Sequence, residues 1–311
     1  MSNLRIRKLH GITLLFSITL LILFSSAFSE EFTKKDYKFY DSATEKSLSL
    51  NEMTDKLVNY DVVFFGEFHD DSLIHSVESK ILPFLYAKKK NMAISMEMFE
   101  RDVQNVLDSF LTDNFTEKKF LKNSRAWPNY MSDYKDIVDF AKINNLDVLA
   151  ANVPRRYASL ISKKGEVALN TIPENEREFI AKKLKVLDNE YKKNFIETMM
   201  ANMKGNNSKR MPMMMKNFDN IYAAQCLKDD TMAESISIYL QNNPETFITH
   251  FNGNFHSEYH LGTANKLKLL NSNLKIAVIA PIYFDDSKEI HFIPEAKNSG
   301  DFLLILYRKT H

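Results

Sequence analysis

Tyr60-Asp61-Val62-Val63-Phe64-Phe65-Gly66-Glu67-Phe68-His69-Asp70 is a segment in which four consecutive apolar residues lead into a carboxylate, an imidazole and a second carboxylate. The Val and Phe residues predict a strand that is buried on both faces of a parallel sheet. The same order recurs in Thr246-Phe247-Ile248-Thr249-His250-Phe251, which is followed by Asn252-Gly253-Asn254-Phe255-His256. Both segments are an apolar strand followed by Gly-x-x-His. Because ligands bind where the strands of an open α/β sheet end, we expect the two motifs to meet in one crevice.

Strands and helices alternate around these two segments. Further strands are predicted at Met92–Glu97, Leu146–Ala151, Leu274–Ile279, Glu289–Ile293 and Phe302–Tyr307, with Pro281 ending the third of these. Helices are predicted after Asp71 or Ser72 with an interruption or kink at Pro83, over Val103–Leu111, from Ser132 to Asn144, and from Leu261 to Leu270. This alternation predicts an α/β domain with a mostly parallel sheet that is flanked by helices.

The pattern changes between residues 164 and 243, where only helical periodicity is found. Helices are predicted at Pro173–Leu187, at Glu190–Lys204 and from about Met213 to Leu240. We interpret 164–243 as a smaller, all-helical, lid-like insertion in an α/β domain formed by 30–163 and 244–311. Methionines are concentrated in this part of the chain, namely Met199, Met200, Met203, Met211, Met213, Met214 and Met215. Methionine clusters fill adaptable cores or line large flat apolar ligands, and the sequence leaves both roles open.

The last of these helices carries two polar residues on its apolar stripe. Gln225 and Asp229 stand one turn apart, between Phe218 and Ile221 on one side and Met232 on the other. A buried carboxylate is costly without partners, so we expect Asp229 to lie within about 3 Å of a group in the crevice, directly or through one water. The alternative is that the stripe turns into solvent at this point.

The N-terminus has the pattern of a signal peptide. Basic residues precede an uncharged run from Gly11 to Phe28, and Ala27-Phe28-Ser29 provides a small-x-small cleavage site, so residues 1–29 are predicted to be removed. An uncleaved membrane anchor is the alternative. No cysteine follows the run, which excludes a lipid-modified N-terminus, and the single Cys226 excludes an internal disulfide. Lys and Arg (41) nearly balance Asp and Glu (40), so no overall basic field favours nucleic acid.

The strand-end residues suggest three kinds of chemistry. Glu67, His69, Asp70, Glu97, Asn152 and His256 are predicted to converge. Two imidazoles and two carboxylates suit a divalent cation, and a metal-bound water can attack an amide or an ester. The same groups without metal form an acid–base pair. Alternatively, they only satisfy the backbone at the strand ends.

Several motifs carry a family resemblance. They are Val63-Phe64-Phe65-Gly66-Glu67-Phe68-His69-Asp70, Met96-Glu97-Met98-Phe99-Glu100-Arg101, Asn152-Val153-Pro154-Arg155, Ala224-Gln225 with Asp229, Met232-Ala233 and Gly253-Asn254-Phe255-His256. Together, from about residue 55 to 280, they resemble the ChaN-like haem-binding uptake family of the Tiki/EreA superfamily. The resemblance implies an exported bacterial protein of haem or iron acquisition, with haem held between two monomers and a tyrosinate on the iron. None of the thirteen tyrosines stands in a diagnostic motif.

The resemblance also implies site residues and partners. Superfamily relatives with the paired Gly-x-x-His motifs are metal-dependent proteases or esterase-like enzymes. They imply Glu67, His69, Glu97 and His256 as catalytic residues, and Glu67, His69 and His256 as ligands of a divalent metal ion. Supporting roles fall to Asp70, Asn152, Arg155, Gln225 and Asp229. The leading hypothesis is a haem-binding homodimer in the periplasm or at the outer membrane, with a membrane-bound uptake receptor as a further partner. The alternative is a metal-dependent hydrolase.

Overall fold

The computed structural model describes residues 36–206, 217–284 and 289–307. The predicted signal peptide, residues 1–29, lies outside these ranges, as do Met211, Met213, Met214 and Met215 and the side chain of Met203. Across the described ranges, none of the helices combines the length and the apolar character that a membrane span requires.

The strands form one eight-stranded sheet in the order β2-β1-β8-β7-β3-β6-β4-β5. They are β1 (Tyr37–Asp41), β2 (Ser47–Leu48), β3 (Val62–Glu67), β4 (Met92–Glu100), β5 (Val148–Asn152), β6 (Phe247–Gly253), β7 (Ile276–Phe284) and β8 (Phe302–Tyr307). From β8 to β5 all neighbours pair in parallel, whereas β1 pairs antiparallel with β2 and β8. The predicted α/β class with a mostly parallel sheet is therefore confirmed.

Helices cover both faces of the sheet. They are α1 (Leu50–Leu57), α2 (Ser72–Lys88), α3 (Gln104–Leu111), α4 (Glu117–Asn123), α5 (Lys135–Asn144), α6 (Arg155–Lys164), α7 (Glu190–Asn206), α8 (Phe218–Asn242) and α9 (Gly262–Leu270). Side chains alternate along β3, so Val63 and Phe65 join the core beneath α2 and α5, whereas Val62 and Phe64 pack towards α8 and α9. Burial of β3 on both faces explains its uninterrupted apolar sequence.

Helix α2 begins as predicted but is not interrupted at its proline. The side chain of Asp71 accepts hydrogen bonds from the backbone N–H groups of Leu73 and Ile74, which caps the helix. The helix then continues through Pro83 to Lys88. Pro83 lies on the exposed face, where water can satisfy the carbonyl that loses its donor.

Three other sequence predictions were wrong. Residues 173–187 form a 3₁₀ segment at Glu174–Phe179 and then irregular backbone instead of a helix, and residues 289–293 form no strand. Strand β7 continues past Pro281 to Phe284, because its pairing with β3 ends at Ile279 and no N–H is needed towards that neighbour at position 281. Strand β1 lies in residues 30–59, a segment in which no strand was predicted.

The helical region between α6 and β6 packs partly on itself and partly on the sheet. Tyr191 and Phe195 of α7 form an apolar cluster with Tyr222 and Cys226 of α8. Further along α8, Ala233 and Ile236 pack against β3, β6 and β7. The second half of α8 therefore belongs to a layer that flanks the sheet. The division of the chain into an α/β domain and an insertion at 164–243 stays a prediction.

Candidate functional site

A cleft of about 1020 Å³ opens where the central parallel strands end. Its walls come from the ends of β3, β4, β5, β6 and β7, from α6, α7 and α8, and from neighbouring loops. Glu67, His69, Glu97 and His256 all line it, together with Trp127. The volume is at the upper end of the range for small-molecule and cofactor sites. The strand ends thus bring both Gly-x-x-His motifs to one crevice.

The first group of polar residues, here the Glu67 arm, consists of Tyr134, Glu67 and His69. Glu67 Oε1 accepts a hydrogen bond from the Tyr134 hydroxyl at 2.7 Å and lies 2.6 Å from His69 Nδ1. A carboxylate can only accept a hydrogen bond. In a neutral His69 the proton is therefore on Nδ1, and Nε2 is free to act as an acceptor. Trp127 meets the His69 ring edge-on at 4.9 Å between centroids. Because 42% of its side chain is exposed, His69 is accessible to a ligand in the cleft.

The second group, here the His256 arm, consists of Asp229, His256 and Glu97, all buried. His256 Nδ1 lies 2.6 Å from Asp229 Oδ1, and its Nε2 lies 3.2 Å from Glu97 Oε1. A 3₁₀ turn (Asn254–His256) directly after β6 presents the imidazole between the two carboxylates. Glu97 Oε2 also accepts the backbone N–H of Gly253 at 2.9 Å, which ties β4 to the end of β6.

Charge explains the protonation of the His256 arm. Burial lowers the pKa of a histidine, but the negative charges of Glu97 and Asp229 outweigh it and raise the pKa of His256 to about 9. Burial raises the pKa of Glu97, yet the neighbouring His256 holds that pKa well below its usual range. At neutral pH the arm is therefore a buried imidazolium between two carboxylates. For His69, burial lowers the pKa, but the hydrogen bond to Glu67 and the charge of Glu97 raise it overall.

Helix α8 places Asp229 within reach of the strand-end residues, as its sequence predicted. Besides His256, Asp229 accepts the Thr263 hydroxyl through Oδ1 at 2.9 Å and the Tyr191 hydroxyl through Oδ2 at 2.8 Å. Gln225, one turn earlier, lies 3.3 Å from His256 Nδ1 through its amide nitrogen. The two polar residues on the apolar stripe of α8 thus both lie against His256, and Asp229 is the one that accepts a hydrogen bond from it.

Two glycines let the arms approach each other. A Cβ on Gly66 would stand 2.5 Å from Asn254 Oδ1 and 3.1 Å from Asn254 Cα, so the turn after β6 would have to shift away from the end of β3. A Cβ on Gly253 would stand 2.8 Å from both Cε1 and Nε2 of the His69 ring. The glycines of the two motifs are therefore required by close contact between backbone and side chain.

The remaining predicted residues have varied surroundings. Asn152 is buried at the end of β5 and donates to the backbone carbonyl of Glu97 at 3.1 Å, which supports β4 where it enters the cleft. Asp70 and Arg155 line the cleft with exposed side chains. Their position suits contact with a ligand better than support of the arms.

The predicted metal ligands do not form the tightest cluster. Among the residues that the structure describes, one group of three such side chains has ligand atoms all within 4.8 Å of one another, and it is Glu67, His75 and Glu78. The predicted set of Glu67, His69 and His256 does not come as close. Both nitrogens of His256 face the carboxylates of its own arm. The assignment of a metal to Glu67, His69 and His256 stays a prediction.

Sequence reasoning missed several members of the site. Tyr134, Tyr191 and Thr263 each donate a hydroxyl to a carboxylate of one arm. Nothing in their local sequence distinguishes them from ordinary core residues. Trp127, the single tryptophan of the sequence, lies in a loop between two helices and was a usable signal.

The fold and the cleft define a ligand-binding α/β protein with its site at the carboxyl ends of parallel strands. Residues 53–267 match the sequence model of the family described as "Haem-binding uptake, Tiki superfamily, ChaN". The match spans more than half of the chain. The chain belongs to this family.

Solved structures with the same fold include a relative from Campylobacter. The structure described as "Cofacial heme binding to ChaN of Campylobacter jejuni" matches with a TM-score of 0.64 and 20% identity, covering 88% of this chain and 98% of that one. A Bacillus cereus protein matches with a TM-score of 0.48 and 12% identity, over 84% of this chain and 92% of that one. The erythromycin esterase EreC matches with a TM-score of 0.46 and 13% identity, over 82% and 78%. No curated protein matches this chain.

Proposed function

We propose that this chain is an exported haem-binding protein of haem or iron uptake, and that the strand-end cleft receives the porphyrin. The observation that carries the proposal is the family match over residues 53–267. Haem binding in the Campylobacter jejuni relative, as its description states, supports the same function here.

The chemistry of the cleft suits haem, which is a flat apolar ring with two carboxylate side chains. Phe68 and Tyr283 form a stacked aromatic pair in the wall, 4.7 Å apart, and Trp127 lines another part of it. Arg155 and Lys228 also line the cleft. Aromatic faces would cover the macrocycle, and the two cations would pair with its carboxylates.

Tyr259 is our candidate for the iron ligand. Tyrosine is one of the side chains that hold haem iron in proteins. Two of the tyrosines line the cleft, and the hydroxyl of Tyr283 donates to Asp71 Oδ2 at 2.9 Å. Tyr259 is 44% exposed and has a φ of 59°, a left-handed conformation that is rare for a bulky residue. Its N–H donates to the carbonyl of Ser299, which holds the strained backbone in place.

Export and dimerisation belong to the same proposal. The signal peptide pattern of residues 1–29 supports export to the periplasm or the outer membrane. A homodimer around haem is supported by Thr198 of α7, which lines the cleft, and by Met200 of the same helix, which is 43% exposed. Helix α7 would then lie between the two chains. Comparing the elution volume with and without hemin tests this part.

Titration with hemin tests haem binding. The full chain should shift the Soret band at stoichiometric hemin, and Tyr259→Phe should move the band to a different position because the axial ligand changes. Tyr239→Phe is the matched control, because its hydroxyl contacts Asp147 away from the cleft. No Soret shift with the wild-type chain would refute haem binding. An unchanged spectrum in Tyr259→Phe would refute only the choice of ligand.

A metal-dependent hydrolase is the second candidate, and the His256 arm favours it. A buried carboxylate–imidazolium–carboxylate chain that opens on a cleft is a common feature of acid–base sites. In this reaction Glu97 and His256 would transfer protons, and His69 Nε2 would contact the substrate or a metal. For His256 to bind a metal, the ion would have to displace the proton held between Asp229 and Glu97.

Metal analysis and two substitutions test the hydrolase. Protein purified without chelator should retain a divalent metal and hydrolyse a model ester, and both properties should fall in His69→Ala and His256→Ala. His291→Ala is the control, because His291 is an exposed histidine outside the cleft. Equal metal content in the wild type and the two cleft variants would exclude His69 and His256 as metal ligands, and with them the predicted site of Glu67, His69 and His256.

A further inference from the structure

A second group of titratable side chains lies behind the cleft wall, on the far side of Glu67. It consists of Glu67, His75 and Glu78, here the buried carboxylate cluster, and all three side chains are at most 3% exposed. His75 Nδ1 lies 2.9 Å from Glu78 Oε2 and 3.8 Å from Glu67 Oε2. His75 and Glu78 are on α2, one turn apart, whereas Glu67 ends β3. Neither binding of haem nor the acid–base chemistry of the cleft uses His75 or Glu78.

The hydrogen bond on the other side of the imidazole fixes its tautomer. His75 Nε2 lies 3.1 Å from the backbone carbonyl oxygen of His69, which can only accept. The proton of a neutral His75 is therefore on Nε2, and the lone pair of Nδ1 points at the carboxylates. A histidine that binds a metal through one nitrogen and donates the other N–H to a backbone carbonyl is the usual arrangement at metal sites.

The cluster has too many acceptors for its donors. Glu67 Oε2 and Glu78 Oε1 are buried, and neither meets a hydrogen-bond donor among the described residues. Together with Glu78 Oε2 and His75 Nδ1 they make four acceptor atoms in one place. If Glu78 is protonated, its single O–H can donate a hydrogen bond to His75 Nδ1 or to Glu67, but not to both. A cation bound to one oxygen of each carboxylate and to His75 Nδ1 would give all three side chains a partner.

The charges around Glu78 also favour a bound cation. Burial, the neighbouring Glu67 and the more distant Asp133 all raise the pKa of Glu78 well above its usual range. No lysine or arginine is among the charges that act on it. A buried carboxylate pair without a compensating cation is costly, and either a proton or a metal ion relieves it.

We propose that Glu67, His75 and Glu78 form a binding site for a divalent first-row cation such as Zn²⁺ or Mn²⁺. Imidazole and carboxylate ligands suit these ions. Ligand atoms about 2.1 Å from an ion are separated from one another by about 3 to 3.5 Å. The contacts of 2.9 and 3.8 Å are close to this spacing, so only small side-chain movements are needed. The site shares Glu67 with the cleft but does not include His69 or His256.

The metal content of the full chain tests the proposal without hemin. Chelator-treated protein is loaded with Zn²⁺ or with Mn²⁺ and desalted, and the bound metal is measured by mass spectrometry. The wild type should retain roughly one ion per chain and unfold at a higher temperature with metal than without it. Retention should fall at least about tenfold in Glu78→Gln and in His75→Asn.

Three further variants distinguish the buried carboxylate cluster from a metal site in the cleft. Glu258→Gln removes a carboxylate that lines the cleft and is bound by Asn254, so retention should match the wild type. His69→Ala and His256→Ala should also retain the ion. Loss in these two variants, with full retention in Glu78→Gln, would place the metal in the cleft and overturn the proposal. A wild-type chain that keeps no metal would overturn it as well, whether or not the variants fold.

Discussion

Replacing Asp229 by asparagine should show that His256 is charged in the folded protein. The substitution keeps the shape of the side chain and removes one of the two negative charges that face the imidazolium. Asp229 is fully buried, so solvent does not screen the interaction. The side-chain amide of the new asparagine still offers a hydrogen-bond acceptor or donor to each of the hydroxyls of Thr263 and Tyr191. Most of the effect should therefore come from charge.

The size of the effect follows from the raised pKa. A change from 6.5 to about 9 for His256 corresponds to about 3 kcal/mol of stability, which Asp229 and Glu97 supply together. Because the pKa is raised in the folded state, this stability is fully present below about pH 6.5 and is lost as the pH rises through about 9. We expect Asp229→Asn to lower the free energy of unfolding by about 2 to 3 kcal/mol near pH 6, and by about 1 kcal/mol near pH 10.

Urea denaturation followed by circular dichroism, at both pH values and without metal or hemin, measures the difference. Thr263→Val is the matched control, because it removes one hydrogen bond to Asp229 and no charge. Its cost of about 1 kcal/mol should be the same at both pH values. If Asp229→Asn also cost the same at both pH values, His256 would be uncharged in the fold and the charge assigned to the His256 arm would be refuted.

Three further changes test the contacts of the cleft. Gly253→Ala should destabilise by about 1 to 3 kcal/mol in urea, since the new Cβ meets the His69 ring, and unchanged stability would contradict the close packing. Tyr134→Phe should cost about 1 to 3 kcal/mol, because Glu67 loses a buried donor; a neutral result would mean that another donor replaces it. Glu97→Gln should cost about 3 kcal/mol near pH 6 because it leaves His256 with one carboxylate, and a more stable variant would indicate that carboxylate repulsion dominates.

The central sheet could be predicted because burial on both faces leaves a strong sequence pattern. Residues Val62 to Phe65 and Phe247 to Phe251 are apolar or β-branched, apart from His250, and both runs lie in the middle of the sheet. The prediction failed at β1, which lies next to one edge of the sheet. β1 is short, contains Lys38 and pairs antiparallel near the sheet edge, so no apolar run marks it.

The effect of a proline depends on its surroundings, so Pro83 does not interrupt its helix and Pro281 does not end its strand. At Pro83 the lost hydrogen bond faces water, and at Pro281 the pairing of β7 with β3 has already ended. Sequence shows a missing N–H but not whether the position needs one. The irregular backbone of 180–189 was misjudged for a related reason. Its contacts with α8, such as Lys185 N–H donating to Asp230, replace helical hydrogen bonds and are invisible in the local pattern.

The strand-end residues could be predicted, but their partners could not. The order of the Gly-x-x-His motifs fixes where Glu67, His69 and His256 stand on the sheet. Tyr134 and Thr263 come from helices whose orientation depends on tertiary packing. His75 and Glu78 lie on a helix with an apolar face, where a histidine usually is a core residue with its own partners. Only the contact of both with Glu67, at the end of β3, makes them a group.

The strand order determines at which stage of synthesis the cleft can form. β3 is synthesised early, yet its two neighbours, β6 and β7, lie in the last quarter of the sequence. Pairings between such distant segments form slowly, because a long loop must close before they gain any contact energy. A ribosome-bound chain that stops before β6 has neither His256 nor the neighbours of β3. The chain therefore acquires its cleft only once nearly all of it has emerged, and no ligand of the cleft can assist the earlier steps of folding.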